Sequence, residues 1–120
     1  EADVYTGQGK YSFDNRDELI SGLRGHMGSP SVLTMHNCHH PEIELESPTN
    51  AKGIWYLQDL VFNKEQNWML FGNAIYTDHY RIEDGLWKIC HTEYARIMET
   101  VNAPIPATLT FTHNMFEPKP

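Results

Sequence analysis

The stretch AKGIWYLQDLVFN, residues 51–63, decides the architecture. Trp, Tyr, Val, Ile, Leu and Phe crowd it, and nothing after Gly53 breaks it, so it reads as one long β-strand. Side chains alternate along a strand, so Trp55, Leu57, Asp59 and Val61 share a face. Lys64 to Asn67 turn the chain back, and Trp68 to Ile82 forms a second long strand. Asp84-Gly85 is a hairpin signal, and Leu86 to Thr100 makes a third. Long strands joined by short polar turns give an antiparallel meander with a strong twist.

Upstream of this meander, Val32 to Cys38 reads as a strand that Glu42 to Glu46 continues beyond Pro41, and Ser47 to Asn50 is a turn. One helix is expected over residues 15–27. Asp14 or Asn15 can cap it, Asp17 and Glu18 suit its positive end, and Leu19, Ile20, Leu23 and Met27 recur at helical spacing. Gly28, Ser29 and Pro30 stop it. Two short strands, Glu1 to Thr6 and Tyr11 to Phe13, flank a turn at Gly7-Gln8-Gly9. A helix set on a meander is an α+β fold, and residues 1–120 make a single domain. The tail from Val101 carries Pro104, Pro106, Pro118 and Pro120. Ala107 to Thr112 reads as a short strand held to an edge by those prolines, or as an arm reaching elsewhere.

Composition narrows the partners. The formal net charge is −7 with no Lys/Arg cluster, so the footprint of a nucleic-acid binder is missing. No apolar run approaches the ~20 residues that cross a bilayer, and no signal peptide opens the chain. Cys38 and Cys90 are too few for a disulfide framework and read as reduced, packed thiols. These features place the protein in the cytoplasm, away from membranes.

His36, Asn37, Cys38, His39 and His40 form the densest polar cluster. A metal centre is the first thought, but period two separates the donors. Successive same-face ligands on a strand lie about 6.6 Å apart, whereas zinc needs donors within roughly 2.0–2.3 Å of one point. No metal site is expected. His36 alone is either a hydrogen-bonded packing residue or a base. Asp59 favours the second reading, because a carboxylate in an apolar strand is costly unless paired. An imidazole on the neighbouring strand would pair it, at about 2.6–3.2 Å, and become a general base oriented by a carboxylate. A structural Asp–His hydrogen bond accounts for the same residues. Arg96 shares a face with Thr92 and Tyr94. It either pairs a surface acid or stabilises negative charge in a site. Tyr56, Tyr76 and Tyr80 read as core or rim aromatics.

Met35-His36, His40-Pro41-Glu42-Ile43, the run from Gly53 to Asp59, Tyr76-Thr77-Asp78-His79-Tyr80, Asp84 to Ile89 and Tyr94-Ala95-Arg96 together resemble the SnoaL-like branch of the nuclear transport factor 2-like superfamily. Within that branch they are most similar to the bile acid dehydratases. The resemblance spans residues 1 to about 100. It implies a cone-shaped curved sheet around an internal cavity, and N-terminal helices that would lie before Glu1. It also implies cofactor-free dehydration, or double-bond isomerisation, of a cyclic apolar hydroxy-ketone. His36 would be the catalytic base and Asp59 its partner, and Arg96, Tyr94, Trp55 and Tyr76 would meet the substrate. No metal or organic cofactor is implied, because a carbonyl is the electron sink. A binding module that holds an apolar ligand without turnover is the alternative. Copies are expected to associate as dimers or trimers through an outer sheet face bearing Trp68, Phe71 and Trp87, with the tail reaching a neighbouring subunit.

Overall fold

The structure, a computed structural model, describes residues 2–6 and 9–117. Glu1, residues 7–8 of the expected first turn, and residues 118–120 lie outside them. The chain runs β1 (Ala2–Thr6), β2 (Gly9–Phe13), α1 (Arg16–Met27), β3 (Val32–Cys38), β4 (Glu42–Ser47), β5 (Asn50–Asn63), β6 (Trp68–Glu83) and β7 (Leu86–Asn102). β1 and β2 form a two-stranded antiparallel ladder, and β1 also lies beside β7. The remaining strands make one antiparallel sheet in the order β3-β5-β6-β7, with β4 also paired to β5.

Local chemistry sets these boundaries. Asn15 caps α1 by accepting from the Glu18 backbone N–H at 3.0 Å, while the Glu18 carboxylate accepts from Asp14 N at 3.2 Å. This reciprocal arrangement satisfies donors that a helix start leaves open. β3 and β4 take successive lengths of the same β5 edge. Pro41, with no N–H to give, interrupts them, and His39 N keeps one rung to Tyr56 O at 2.8 Å. Asp84 and Gly85 adopt φ of 54° and 74°, the left-handed pair that a two-residue hairpin turn requires. Asn63 Oδ1 accepts from Gln66 N at 2.8 Å and fastens the β5–β6 turn, where Asn67 has φ 56°.

Register sorts the side chains. Asp59 lies opposite His36 on β3 and Gly72 on β6, so the even positions 70–80 of β6 share its face. On β7, extra residues at Cys90 and Ile97 make two bulges. Each bulge reverses the simple alternation, so Arg96 and Glu99 lie on the same face although three residues separate them. Among the described residues, Ala51, Leu57 and Ala74 are the buried apolar ones.

The sheet is curved as expected, and it is open: among the described residues, β3 and β4 on one side and β7 on the other are not joined, so the cavity it wraps is a cleft. Three expectations change. Of the three outer-face aromatics, Phe71 lies on the face opposite Asp59, whereas register puts Trp68 with Leu70 on Asp59's face and Trp87 opposite Ile82 near the hairpin tip. The tail has partners in its own chain. Phe111 meets Phe62 edge-on with centroids 4.8 Å apart, Lys64 pairs Glu117 at 3.2 Å, and Ile105 N donates to Asn67 Oδ1 at 3.1 Å. Ala107 to Thr112 forms no strand, since Pro106 and the turn after it leave no ladder for it to join. Cys38 is exposed rather than packed, and Cys90 is half-buried. Among the described residues, no helix is long and apolar enough to cross a membrane.

Candidate active site

Asp59 is the least expected residue in its strand and the most tightly held. It is 2% exposed, and an ionised carboxylate at that depth needs compensation. Compensation comes from β7, over the gap left by Gly72. Arg96 Nη1 donates to Asp59 Oδ1 at 2.5 Å and Nη2 to Oδ2 at 2.8 Å. This two-pronged geometry is the strongest that a guanidinium and a carboxylate make. Arg96 Nε lies 3.0 Å from Glu99 Oε2, out of line for a hydrogen bond, and forms an ion pair only. The Asp59 hydrogen bonds, opposed by burial, raise the Arg96 pKa above its usual range.

Gly72 is what makes the bridge possible. A Cβ there would come within 2.5 Å of Arg96 Nη1 and 2.8 Å of Asp59 Oδ1. Gly72→Ala should therefore push the pair apart and cost about 1–3 kcal/mol, as for other overpacked sites. Urea midpoints would check this, and a midpoint equal to that of the parent protein would contradict it.

His36 stands directly opposite Asp59 in the β3–β5 ladder, so both side chains leave the same face. Its Nε2 is 3.9 Å from Asp59 Oδ2, longer than the expected hydrogen bond. The reason is competition: Arg96 already bonds both carboxylate oxygens, and a permanently charged fork outbids an imidazole for a buried acid. His36 remains a neighbour of the carboxylate, with its side chain 35% exposed.

Tyr76 and Tyr94 are neighbours across β6 and β7. Their rings stack 5.2 Å apart, and the Arg96 guanidinium carbon lies 5.6 Å from the Tyr94 centroid. Burial, reinforced by Tyr94 and Asp59, pushes the Tyr76 phenol up to about 12. The phenol thus keeps its proton throughout the neutral range. Between the ordinary value of 10.0 and about 12, the unfolded chain loses this proton while the folded chain keeps it, so stability falls as pH rises through that window. Over the window the parent protein should lose up to about 2 kcal/mol more than Tyr76→Phe. Parallel stability curves for the two proteins above pH 10 would contradict the assignment.

These residues line one cleft of about 260 Å³ between sheet and helix. His36, Asp59, Tyr76, Tyr94 and Arg96 form its polar floor, with Val61 and Leu70 beside them. Phe13 and the 22/23/26/27 face of α1 form the roof, where the Phe13 ring lies against Gly22. Five of the six residues singled out from the sequence thus meet. Trp55 is not among the lining residues. Its indole N–H donates to Tyr80 Oη at 2.6 Å, Tyr80 donates to Asp78 Oδ2 at 3.1 Å, and Thr92 donates to Asp78 Oδ1 at 2.6 Å. That separate network satisfies the buried Asp78 carboxylate. Burial raises the Tyr80 phenol as well. Among the described residues, no three His, Cys, Asp or Glu side chains are placed to hold a metal ion.

Sequence reasoning missed His26, Gly72 and Glu99. His26 carried a signal, since it falls between Leu23 and Met27 on the apolar side of α1. The bulge at Ile97 concealed Glu99, and nothing in the sequence distinguished Gly72.

Comparison with solved structures gives the same architecture. A type 2 hexachlorocyclohexane dehydrochlorinase (LinA) superposes with a TM-score of 0.68 at 24% identity, over 90% of this chain and 74% of that one. A protein of Novosphingobium aromaticivorans, provisionally named scytalone dehydratase, gives 0.69 at 22% identity, over 92% and 74%. An uncharacterised protein with a cystatin-like fold from Caulobacter vibrioides gives 0.56 at 10% identity, over 81% and 68%. At these identities the likeness is one of fold. The SnoaL-like domain family itself matches residues 2–93, a span that runs from β1 through β6 into the first part of β7 and stops just before Tyr94 and Arg96, and the chain belongs to that family.

Proposed function

We propose that the protein is a small-molecule lyase that eliminates water, or shifts a double bond, in a cyclic apolar hydroxy-ketone. The observation that carries this reading is the convergence of His36, Asp59, Tyr76 and Arg96 on the floor of one largely apolar cleft. A carbonyl substrate in that cleft needs three things: a base, charge compensation and an oxyanion donor. His36 takes a proton from the carbon next to the carbonyl, or from its vinylogous position. With Nε2 turned to Asp59, Nδ1 is left to act as the base. The carboxylate 3.9 Å away then stabilises the imidazolium that forms. Arg96 holds Asp59 in place through both carboxylate oxygens, so its role is positioning rather than binding an anionic substrate. Tyr76, which keeps its proton, donates to the developing enolate oxygen. The carbonyl accepts the electron pair, so no cofactor enters the step. The names of the structural neighbours, a dehydrochlorinase and a dehydratase, denote eliminations and support the lyase class.

The test is a panel of cyclic hydroxy-ketones incubated with the protein and followed by absorbance of the conjugated product. Saturable turnover of a member supports the reading. Binding that protects the fold without product formation would replace it with a ligand-binding module. One feature favours that second reading: Asp59 is already satisfied by Arg96, as a purely structural ion pair would be. Copies of the chain are proposed to associate, which is supported by the exposed Ile89, Ile97, Met98 and Val101 along β7. Sedimentation should give a species heavier than the 13.9 kDa chain at micromolar concentration.

A further inference from the structure

Elimination of water needs an acid as well as a base. Hydroxide is a poor leaving group at neutral pH, and a proton must reach the oxygen as its bond to carbon breaks. On the floor of the cleft no group suits that task. Both Arg96 prongs are bound to Asp59. Tyr76 holds its proton up to about 12, and Tyr94 is a phenol stacked against it. Imidazole is the side chain that both holds and releases a proton in neutral water. The cleft contains two imidazoles, His36 from the sheet and His26 from the helix roof.

We propose that His26 is a second catalytic residue, the acid that protonates the departing hydroxyl, so that base and acid act from opposite walls of the cleft. The inference rests on the elimination reading above and deepens it, since it names hydroxyl as the leaving group. His36 removes the proton beside the carbonyl, and the C–H electron pair moves through the enolate to form the C=C bond. The C–O pair leaves with the oxygen, His26 gives that oxygen its proton, and water departs. At the end His36 carries the extra proton and His26 has lost one. Both residues are exposed to solvent, and water returns each to its starting state. The helix face explains the placement. Residues 22, 23, 26 and 27 point at the cleft together, as spacings of three and four residues dictate, and His26 interrupts an otherwise apolar roof.

The experiment compares two probes on the full chain, β-hydroxycyclohexanone and β-chlorocyclohexanone, each yielding the same absorbing enone. Chloride leaves without a proton, so an acid serves the first probe only. For His26→Phe and His26→Gln, the ratio of hydroxyl to chloride elimination should fall at least ~50-fold, within the range of a lost general acid. Imidazole added to the buffer should restore part of the hydroxyl rate to His26→Ala. A merely structural His26 would move both rates together, and an unchanged ratio overturns the assignment. Parent protein inactive on both probes would instead overturn the elimination reading, and this inference with it.

Discussion

His36→Ala is expected to lower turnover of a responsive hydroxy-ketone at least ~100-fold, the usual cost of losing a general base, with almost no change in thermal unfolding. The two halves of this expectation come from one observation. The His36 side chain is about one-third exposed and stands 3.9 Å from its nearest carboxylate, so it contributes little to stability. Substitutions in such surroundings usually move stability by less than about 0.5 kcal/mol. Its position over Asp59 is instead what the proposed proton abstraction would use. Steady-state rates and a melting curve on the same sample decide the matter. An unchanged rate removes His36 from the mechanism, while a collapsed melting curve would reassign it to the core.

Asp59→Ala should have the opposite profile and destabilise the fold by about 3–5 kcal/mol, because it strands a buried guanidinium. Small domains have about 5–15 kcal/mol in all, so the single variant sits close to unfolding. Glu99 lies against Arg96 Nε and softens the loss. Replacing both partners, Asp59→Leu with Arg96→Met, should recover most of the stability, since a well-packed apolar pair often substitutes for a buried ion pair. Activity should not return, because His36 would then lack its charge partner. Chemical denaturation of the single and double variants checks the first point, and turnover of the double variant checks the second. A double variant with restored activity would show that Asp59 serves the fold alone.

How much of this was legible in the sequence follows from what alternation can carry. Period two placed Trp55, Leu57, Asp59 and Val61 on one face, and the ladder agrees. It also placed Arg96 with Thr92 and Tyr94, because no bulge falls between them. The pairing of His36 with Asp59 across β3 and β5 followed from a buried acid needing a partner nearby. What failed was choosing between two partners for the acid. Sequence spacing says nothing of a partner two strands away, and Arg96 reaches Asp59 only because Gly72, between them, has no side chain. Trp55 shares the face but lies beyond Leu57, where Tyr80 takes its indole N–H. Face and position along a strand are separate facts, and alternation supplies only the first. The tail's contact with its own sheet was illegible for a related reason, since Phe111 meets Phe62 on the outer surface of that sheet.

The bulge at Ile97 also bears on how this strand tolerates changes in length. Ile97 is the supernumerary residue: Arg96 pairs with Ala74 and Met98 with the adjacent Asn73. Excising Ile97 would leave every rung intact and straighten the strand. Excising Ala95, two positions earlier, would draw Ile97 into Arg96's place and turn the guanidinium to the outer surface. Gaps in related sequences are therefore expected at the first position and not at the second, although the two deletions look alike on paper.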